Sequence, residues 1–343
     1  MTDAVLPDFV PHRIAVLGAG SWGTALAWLL GESGRSVALW ARDPALAAAI
    51  HRERENVRYL PGVPLPASVA PTADLSAALA DADAVVLAVP AQAVREVTTA
   101  ARDRLPPQAG LLVAAKGLEV STGLRLTEVV AAAGPPGVIE RTAVMSGPNL
   151  AGEIVRRMPT VTVVAAAQPH WARAFQAMLA TPFFRVYLNP DVTGVELGGA
   201  LKNPIALAAG ISDGLGFGQN TKAALLTRGL AEMTRLGVAA GAQAATFAGL
   251  SGLGDLVATA HSPLSRNYRL GLALGRGQPL ASALADLGHV AEGVPTTEAA
   301  CRLAERLGVE IPITAELRRV LFEGRSPRDA VAALMTRAFR EEG

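Results

Sequence analysis

One cysteine, Cys301, is all that the 343-residue chain carries. An intrachain disulfide is therefore excluded, and a reducing cytoplasm fits. Aromatic residues make up only 4 %, too few to build base-stacking platforms. A net charge of +1 gives no electrostatic reason to bind nucleic acid. Half of the residues are hydrophobic, yet no uninterrupted apolar run reaches the roughly 18 residues that suggest a membrane span. Residues 1–7 lack the basic region and apolar core of a secretory signal. The five histidines are scattered, at positions 12, 51, 170, 261 and 289, and no carboxylates cluster with them, which argues against a dedicated metal site. Lysine is nearly absent too: only Lys116, Lys202 and Lys222 stand among 31 basic residues. Arginine evidently serves wherever a solvated charge suffices, whereas a lysine pKa can be lowered into a useful range. The three lysines are candidates for chemistry; the plain alternative is that they survived a biased base composition.

What is present begins at Arg13. An apolar β-type segment runs straight into Gly18-x-Gly20-x-x-Gly23 and on into a helix-forming stretch at 22–32. That strand, glycine turn and helix, in that order, is the context a dinucleotide fingerprint requires. Gly18 permits the tight turn, Gly20 lets backbone approach a pyrophosphate, and Gly23 lets helix and strand pack closely. The helix N-terminus offers free N–H groups to the anion. A second strand at 36–40 ends on Arg42, with Asp43-Pro44 as N-cap and first residue of a helix over 45–50. Arg42 is placed to meet a 2′-phosphate, which favours NADPH, with NADH as the alternative.

A proline-rich loop is expected at 59–71, then a helix at 75–80. The continuous apolar runs at 84–89 and 111–115 read as parallel strands covered on both faces. The second ends on Lys116, and a strand at 142–145 opens onto Ser146-Gly147-Pro148-Asn149. Ligands sit beyond the carboxyl ends of such strands, so these residues share a rim with the glycine turn. Segments at 160–165, 171–179 and 183–187 complete a first domain, residues 1–189. From there strands give way to apolar helical stretches, among them 195–211, 221–236, 270–274, 280–287, 297–307, 315–322 and 329–339. The fold class is α/β: an N-terminal Rossmann-type doubly wound sheet, then an all-α domain at 190–343, with an active cleft between them.

Lys202 lies in a nearly uncharged helical surface, Leu197-Gly198-Gly199-Ala200-Leu201-Lys202-Asn203-Pro204. Burial there would disfavour its charge and suit it as general acid to a carbonyl oxygen; alternatively it snorkels to water. Asp255 follows a glycine-punctuated turn and is placed either to hold that lysine or to cap the next helix. Ser265-Arg266-Asn267 gathers a hydroxyl, a guanidinium and an amide suited to a phosphate monoester, though alone it is an ordinary polar turn. Lys222 follows Gln219-Asn220-Thr221 at a helix start, against the helix dipole. That conflict hints at a nearby anion; a solvated side chain explains it as well.

Together these segments resemble the NAD(P)H-dependent glycerol-3-phosphate dehydrogenases of bacteria. The resemblance covers residues 18 to about 319 and rests on the blocks at 18–25, 115–119, 146–149, 201–203, 214–224, 252–256, 265–267 and 292–293. It implies reduction of dihydroxyacetone phosphate, a triose phosphate, to sn-glycerol 3-phosphate for glycerophospholipid synthesis. Lys202 would be the proton donor, and Lys116, Gly147, Asn149, Asp255, Ser265, Arg266 and Asn267 would meet the substrate. Gly18, Gly20, Ser21, Trp22, Gly23, Arg42, Lys116, Ala151, Arg266, Val290 and Glu292 would line the cofactor. The sequence departs from the pattern at Asn149-Leu150, where many relatives have Ser or Thr followed by Phe, and at Ala260, where many have cysteine. A related hydroxy-acid dehydrogenase and a non-catalytic NAD(P) sensor are the rival readings. The apolar helices of the second domain are candidates for a homodimer contact.

Overall fold

The structure, a computed structural model, describes residues 9–337; the readings of residues 1–7 and of the helix end at Phe339 lie outside them. Two compact units divide the chain. The first runs to Lys116 and resumes from Leu124 to Glu196, and the second takes Gly117–Gly123 and continues from Leu197.

The first unit contains β1 (Arg13–Leu17), β2 (Ser36–Trp40), a small pair β3 (Glu55–Asn56) and β4 (Leu60–Pro64), β5 (Val69–Thr72), β6 (Ala84–Leu87), β7 (Gly110–Val113), β8 (Thr142–Ser146), β9 (Thr160–Ala166) and β10 (Phe184–Asn189). Eight strands form one sheet in the order β10-β9-β8-β7-β6-β1-β2-β5. The pairs from β8 through to β5 are parallel. β9 runs antiparallel to β8, and β10 follows β9. Around the sheet come α1 (Ser21–Glu32), α2 (Pro44–Glu53), α3 (Leu75–Leu79), α4 (Val94–Ala101), α5 (Leu126–Ala133), α6 (Ala151–Ile154) and α7 (Pro169–Leu179).

β6 and β7 are buried at every residue, in keeping with their unbroken apolar sequences. α1 buries Leu26, Leu29 and Leu30 completely in one cluster with Val16, Leu39, Val86 and Leu112 of the sheet. Each such side chain contributes roughly 1.5–3 kcal/mol. α2 starts as its sequence dictates: Asp43 accepts from the Ala45 N–H at 2.9 Å, and Pro44 opens the helix. The expected loop at 59–71 is corrected, because it contains β4 and most of β5. Pro71 sits opposite Leu39 of β2 at the outer edge of the sheet, where a missing N–H costs no inner ladder bond.

The second unit holds α8 (Val192–Gly214) from Leu197 onward, then α9 (Gln219–Ala239), α10 (Ala244–Phe247), a π-helical turn at Leu250–Gly254, α11 (Asp255–His261), α12 (Arg266–Gly275), α13 (Leu280–Leu287), α14 (Gly293–Leu307), α15 (Pro312–Phe322) and α16 (Pro327–Met335). Among the described residues it contains no strand, and no described helix is long and apolar enough to cross a membrane. α8 and α12 cross backbone to backbone. A Cβ on Gly210 would lie 2.1 Å from the Tyr268 carbonyl oxygen, and one on Gly271 would lie 2.0 Å from that of Leu207. Gly214 and Gly275 repeat the arrangement one turn further along.

Candidate active site

In the first unit the glycine turn leaves β1 at the carboxyl rim of the sheet. Gly18 has φ +118°, and a Cβ there would meet the Ala88 carbonyl oxygen at 2.7 Å. One on Gly23 would collide with the Gly18 oxygen at 1.8 Å. Gly20 differs: a Cβ there would meet nothing within 4 Å, and α1 begins without a side-chain cap. Two glycines are thus required by the protein's own packing. The third borders open space at an uncapped helix N-terminus, a setting that fits a pyrophosphate. Ser21 Oγ donates to the Tyr59 carbonyl at 2.6 Å, and Trp22 Nε1 donates to the Ala114 carbonyl at 3.0 Å. The first helical turn is therefore tied to the loop after β3 and to the end of β7.

Further along this rim, Lys116 Nζ donates to the Gly147 carbonyl at 2.8 Å and links the ends of β7 and β8. Gly147 takes φ +140° with Thr162 Cα packed against its open face. Asn149 spends its carboxamide on β9, donating to the Val161 carbonyl at 3.0 Å and accepting from Thr162 Oγ1 at 3.0 Å. That is a structural use of the residue, where the resemblance implies a substrate contact. Ala151 opens α6. Arg42 lies just beyond β2, exposed, with a loose ion pair to Glu96 at 3.5 Å.

In the second unit Lys202 is buried, and snorkelling is excluded. Its Nζ donates to Asp255 Oδ1 at 2.7 Å and to Thr259 Oγ1 at 2.6 Å. Asp255 is 2 % exposed. It does not cap α11, whose N-cap is Gly254, but compensates the desolvated ammonium. Thr259 stands one helical turn after Asp255 and also donates to that carboxylate, at 3.2 Å. α8 therefore offers one cation from an apolar surface, held at two points.

The phosphate-type turn sits at the start of α12. Ser265 is its N-cap, accepting from the Tyr268 N–H at 3.2 Å. Arg266 is the first helical residue and keeps an exposed surface; the protein packed around its guanidinium partly desolvates it and lowers its pKa from the ordinary arginine value, while the Glu292 charge acts against that shift. Asn267 is buried and doubly engaged, donating to Asn203 Oδ1 at 2.8 Å and accepting from the Gly293 N–H at 2.9 Å. Asn267 thereby joins α8, beside Lys202, to the start of α14 directly after Glu292. Val290 lies exposed just before it. Lys222, the third lysine, is buried against Asp213 at 2.8 Å, so the anion its position hints at is present and the solvated reading fails.

The family model of the NAD-dependent glycerol-3-phosphate dehydrogenase N-terminus matches residues 13–172, and that of the C-terminus matches residues 191–332. The chain belongs to this family. A curated relative from Citrifermentans bemidjiense, glycerol-3-phosphate dehydrogenase (NAD(P)+), is 50% identical over 332 residues, covering 97% of this chain and 99% of its own. A relative of the same name from Moorella thermoacetica is 53% identical over 326 residues, covering 95% and 96%. The crystal structure of glycerol-3-phosphate dehydrogenase from Coxiella burnetii superposes with a TM-score of 0.91 at 40% identity, covering 95% of this chain and 99% of that one. The Rossmann-type sheet and helical second unit are those of a glycerol-3-phosphate dehydrogenase.

Several residues of these clusters were not singled out from sequence. Thr259 had one available signal, its i,i+4 spacing from Asp255 on a helix. Asn203 adjoins Lys202 but reads as an ordinary helical amide until Asn267 is seen opposite it. Asp213, nine residues before Lys222 at the end of the preceding helix, and Tyr268, on the distant α12, flank that lysine and gave no signal.

Proposed function

We propose that this glycerol-3-phosphate dehydrogenase family member catalyses the reversible NAD(P)H-dependent reduction of dihydroxyacetone phosphate to sn-glycerol 3-phosphate. The observation that carries the mechanism is the buried ammonium of Lys202, held by Asp255 and Thr259. A reduced nicotinamide dinucleotide, held by the glycine turn at Gly18, Gly20 and Gly23, would supply hydride for C2 of the substrate. Lys202 Nζ gives its proton to the oxygen that becomes negative as that carbon is reduced, and takes it back in the reverse direction. Asp255 and Thr259 fix Nζ in place, and Asp255 limits the desolvation cost of keeping it charged. Ser265, Arg266 and Asn267 hold the phosphate, with the guanidinium matching its oxygens in a fork and the N-terminus of α12 favouring its charge.

In the first unit, Gly18, Gly20, Gly23, Ser21 and Trp22 are proposed to hold the dinucleotide, with Lys116 and Ala151 on the same rim. The preference for NADPH over NADH is proposed for Arg42 because its guanidinium, at the end of β2, is exposed and carries only a loose, exposed ion pair to Glu96 among the described residues, which a 2′-phosphate could replace. Val290, Glu292 and Arg266 are also proposed to meet the cofactor, as the resemblance implies. A reducing cytoplasm is the proposed compartment, consistent with the single thiol.

The test is spectrophotometric oxidation of NADPH and of NADH with dihydroxyacetone phosphate, run beside a panel of 2-keto carboxylates and the Lys202→Ala variant. The wild type should turn over the triose phosphate and not the carboxylates, with NADPH preferred. Lys202→Ala should lose about 10²–10⁴-fold in turnover, the usual worth of a positioned acid, while binding NADPH normally. Turnover surviving within about tenfold, a loss of roughly 1.4 kcal/mol, would remove Lys202 from that role.

A further inference from the structure

Lys222 is the one lysine that the proposed reaction leaves without a task. It sits in the first turn of α9, where the helix dipole opposes a cation, and it is 4 % exposed. Nζ lies 2.8 Å from Asp213 Oδ2, near the end of α8, and 4.9 Å above the centre of the Tyr268 ring. The Tyr268 hydroxyl donates to the same carboxylate oxygen at 2.7 Å. A buried ion pair is a poor way to gain stability, since apolar residues of similar volume often do as well or better. What such a pair does supply is a fixed geometry, and here the geometry it fixes is that of residue 268.

Tyr268 directly follows Ser265-Arg266-Asn267. Its N–H is held by Ser265 Oγ, its carbonyl oxygen rests on Gly210 of α8, and its side chain is gripped by Asp213 and Lys222. Asp213 sets the tyrosine hydroxyl, and Lys222 both neutralises Asp213 and covers the ring face through a cation–π contact. We propose that Lys222 is a positioning residue for the substrate phosphate: acting through Asp213, it clamps Tyr268 and so holds the first turn of α12 in its phosphate-binding orientation. The proposal rests on the reading that Ser265, Arg266 and Asn267 bind that phosphate.

The full-length enzyme tests it with four variants. Tyr268→Phe keeps the ring and removes the clamp's hydroxyl, Lys222→Met removes the charge at similar length, and Lys222→Arg restores it; Arg266→Ala probes the underlying assignment. Steady-state kinetics with dihydroxyacetone phosphate and with NADPH should show that Tyr268→Phe and Lys222→Met raise KM for the triose phosphate about tenfold. Their kcat and KM for NADPH should stay within about twofold, the pattern of lost substrate binding, and Lys222→Arg should recover most of the affinity. If Tyr268→Phe leaves KM unchanged while Arg266→Ala raises it, the clamp is refuted and the phosphate assignment stands. If neither raises it, the assignment falls and takes the clamp with it. If Tyr268→Phe lowers kcat, both affinities and the melting temperature together, the residue supports the fold alone and the proposal is overturned. Should Lys222→Met fail to fold, Tyr268→Phe decides by itself.

Discussion

Replacing Lys202 by methionine should injure the protein in two separable ways. The substitution keeps most of the side chain's length but leaves the Asp255 carboxylate, 2 % exposed, without the ammonium that lies 2.7 Å from it. Breaking a buried pair from one side costs about 3–5 kcal/mol, because the remaining charge stays desolvated. For a domain of this size each kcal/mol shifts the midpoint by about 2–4 °C, so the melting temperature should fall by roughly 6–20 °C. Adding Asp255→Asn removes the stranded charge at nearly constant volume, and the double variant should melt well above Lys202→Met alone. Activity should not follow: both variants lack the proposed acid and should be at least about 10²-fold slower than wild type. Thermal melts and initial rates on wild type, both single variants and the double variant form a double-mutant cycle whose stability coupling is large and favourable to the pair. A double variant no more stable than Lys202→Met would show that the two groups do not compensate each other in the folded protein.

Acid should weaken the Asp213 cluster. Burial pushes the Asp213 carboxyl up, but hydrogen bonds from Lys222 and Tyr268 and the Lys222 charge outweigh it and leave the pKa lowered. The folded state therefore binds this proton less readily than the unfolded chain does. Its stabilisation is present above the unfolded value of about 3.9 and is lost as pH falls through the lowered folded value. Melts of wild type and Asp213→Asn should differ at neutral pH and converge at the acid end; a gap that widens on acidification contradicts the sign. Cys301 is buried, and desolvation pushes its thiol up to about 12. A chromogenic disulfide reagent should leave it unmodified in the native enzyme and titrate it only after denaturation. Gly271→Ala would thrust a methyl against the Leu207 carbonyl and should cost about 1–3 kcal/mol or more. Gly152→Ala, with nothing within 4 Å of the new atom, should be close to neutral; equal effects would mean the α8–α12 contact is looser than described.

The legible parts of the fold were those where local chemistry and packing agree. β1, the glycine turn and α1 follow one another as an apolar strand, a turn needing φ +118° and a helix buried on nearly every side. Asp43-Pro44 announces α2 because cap and first helical residue are local devices. β5 was hidden because its Pro71 is a loop signal in isolation, and only its position at the edge makes it tolerable. The reversal of β9 and β10 has no local marker, since the apolar pattern of Thr160–Ala166 carries no sign of strand direction. At the site, the scarcity of lysine pointed to Lys202 and Lys222 because any cation retained on an apolar helix has to be accounted for. Their partners Thr259 and Tyr268, like Asn203 opposite Asn267, are commonplace polar residues that acquire meaning only when another helix is laid beside them.

The crossing of α8 and α12 places peptide against peptide at Gly210, Gly214, Gly271 and Gly275, with no side chain to act as a spacer. Lys202 and Asn203 ride on one of these helices, Arg266 and Asn267 on the other. The spacing between the backbone that carries Lys202 and the one that carries the Ser265–Asn267 turn, the proposed proton donor and phosphate site, is consequently set by main chain packed on main chain. Changes in neighbouring apolar side chains would alter that spacing less than a substitution at one of these glycines, which would have to push the two helices apart.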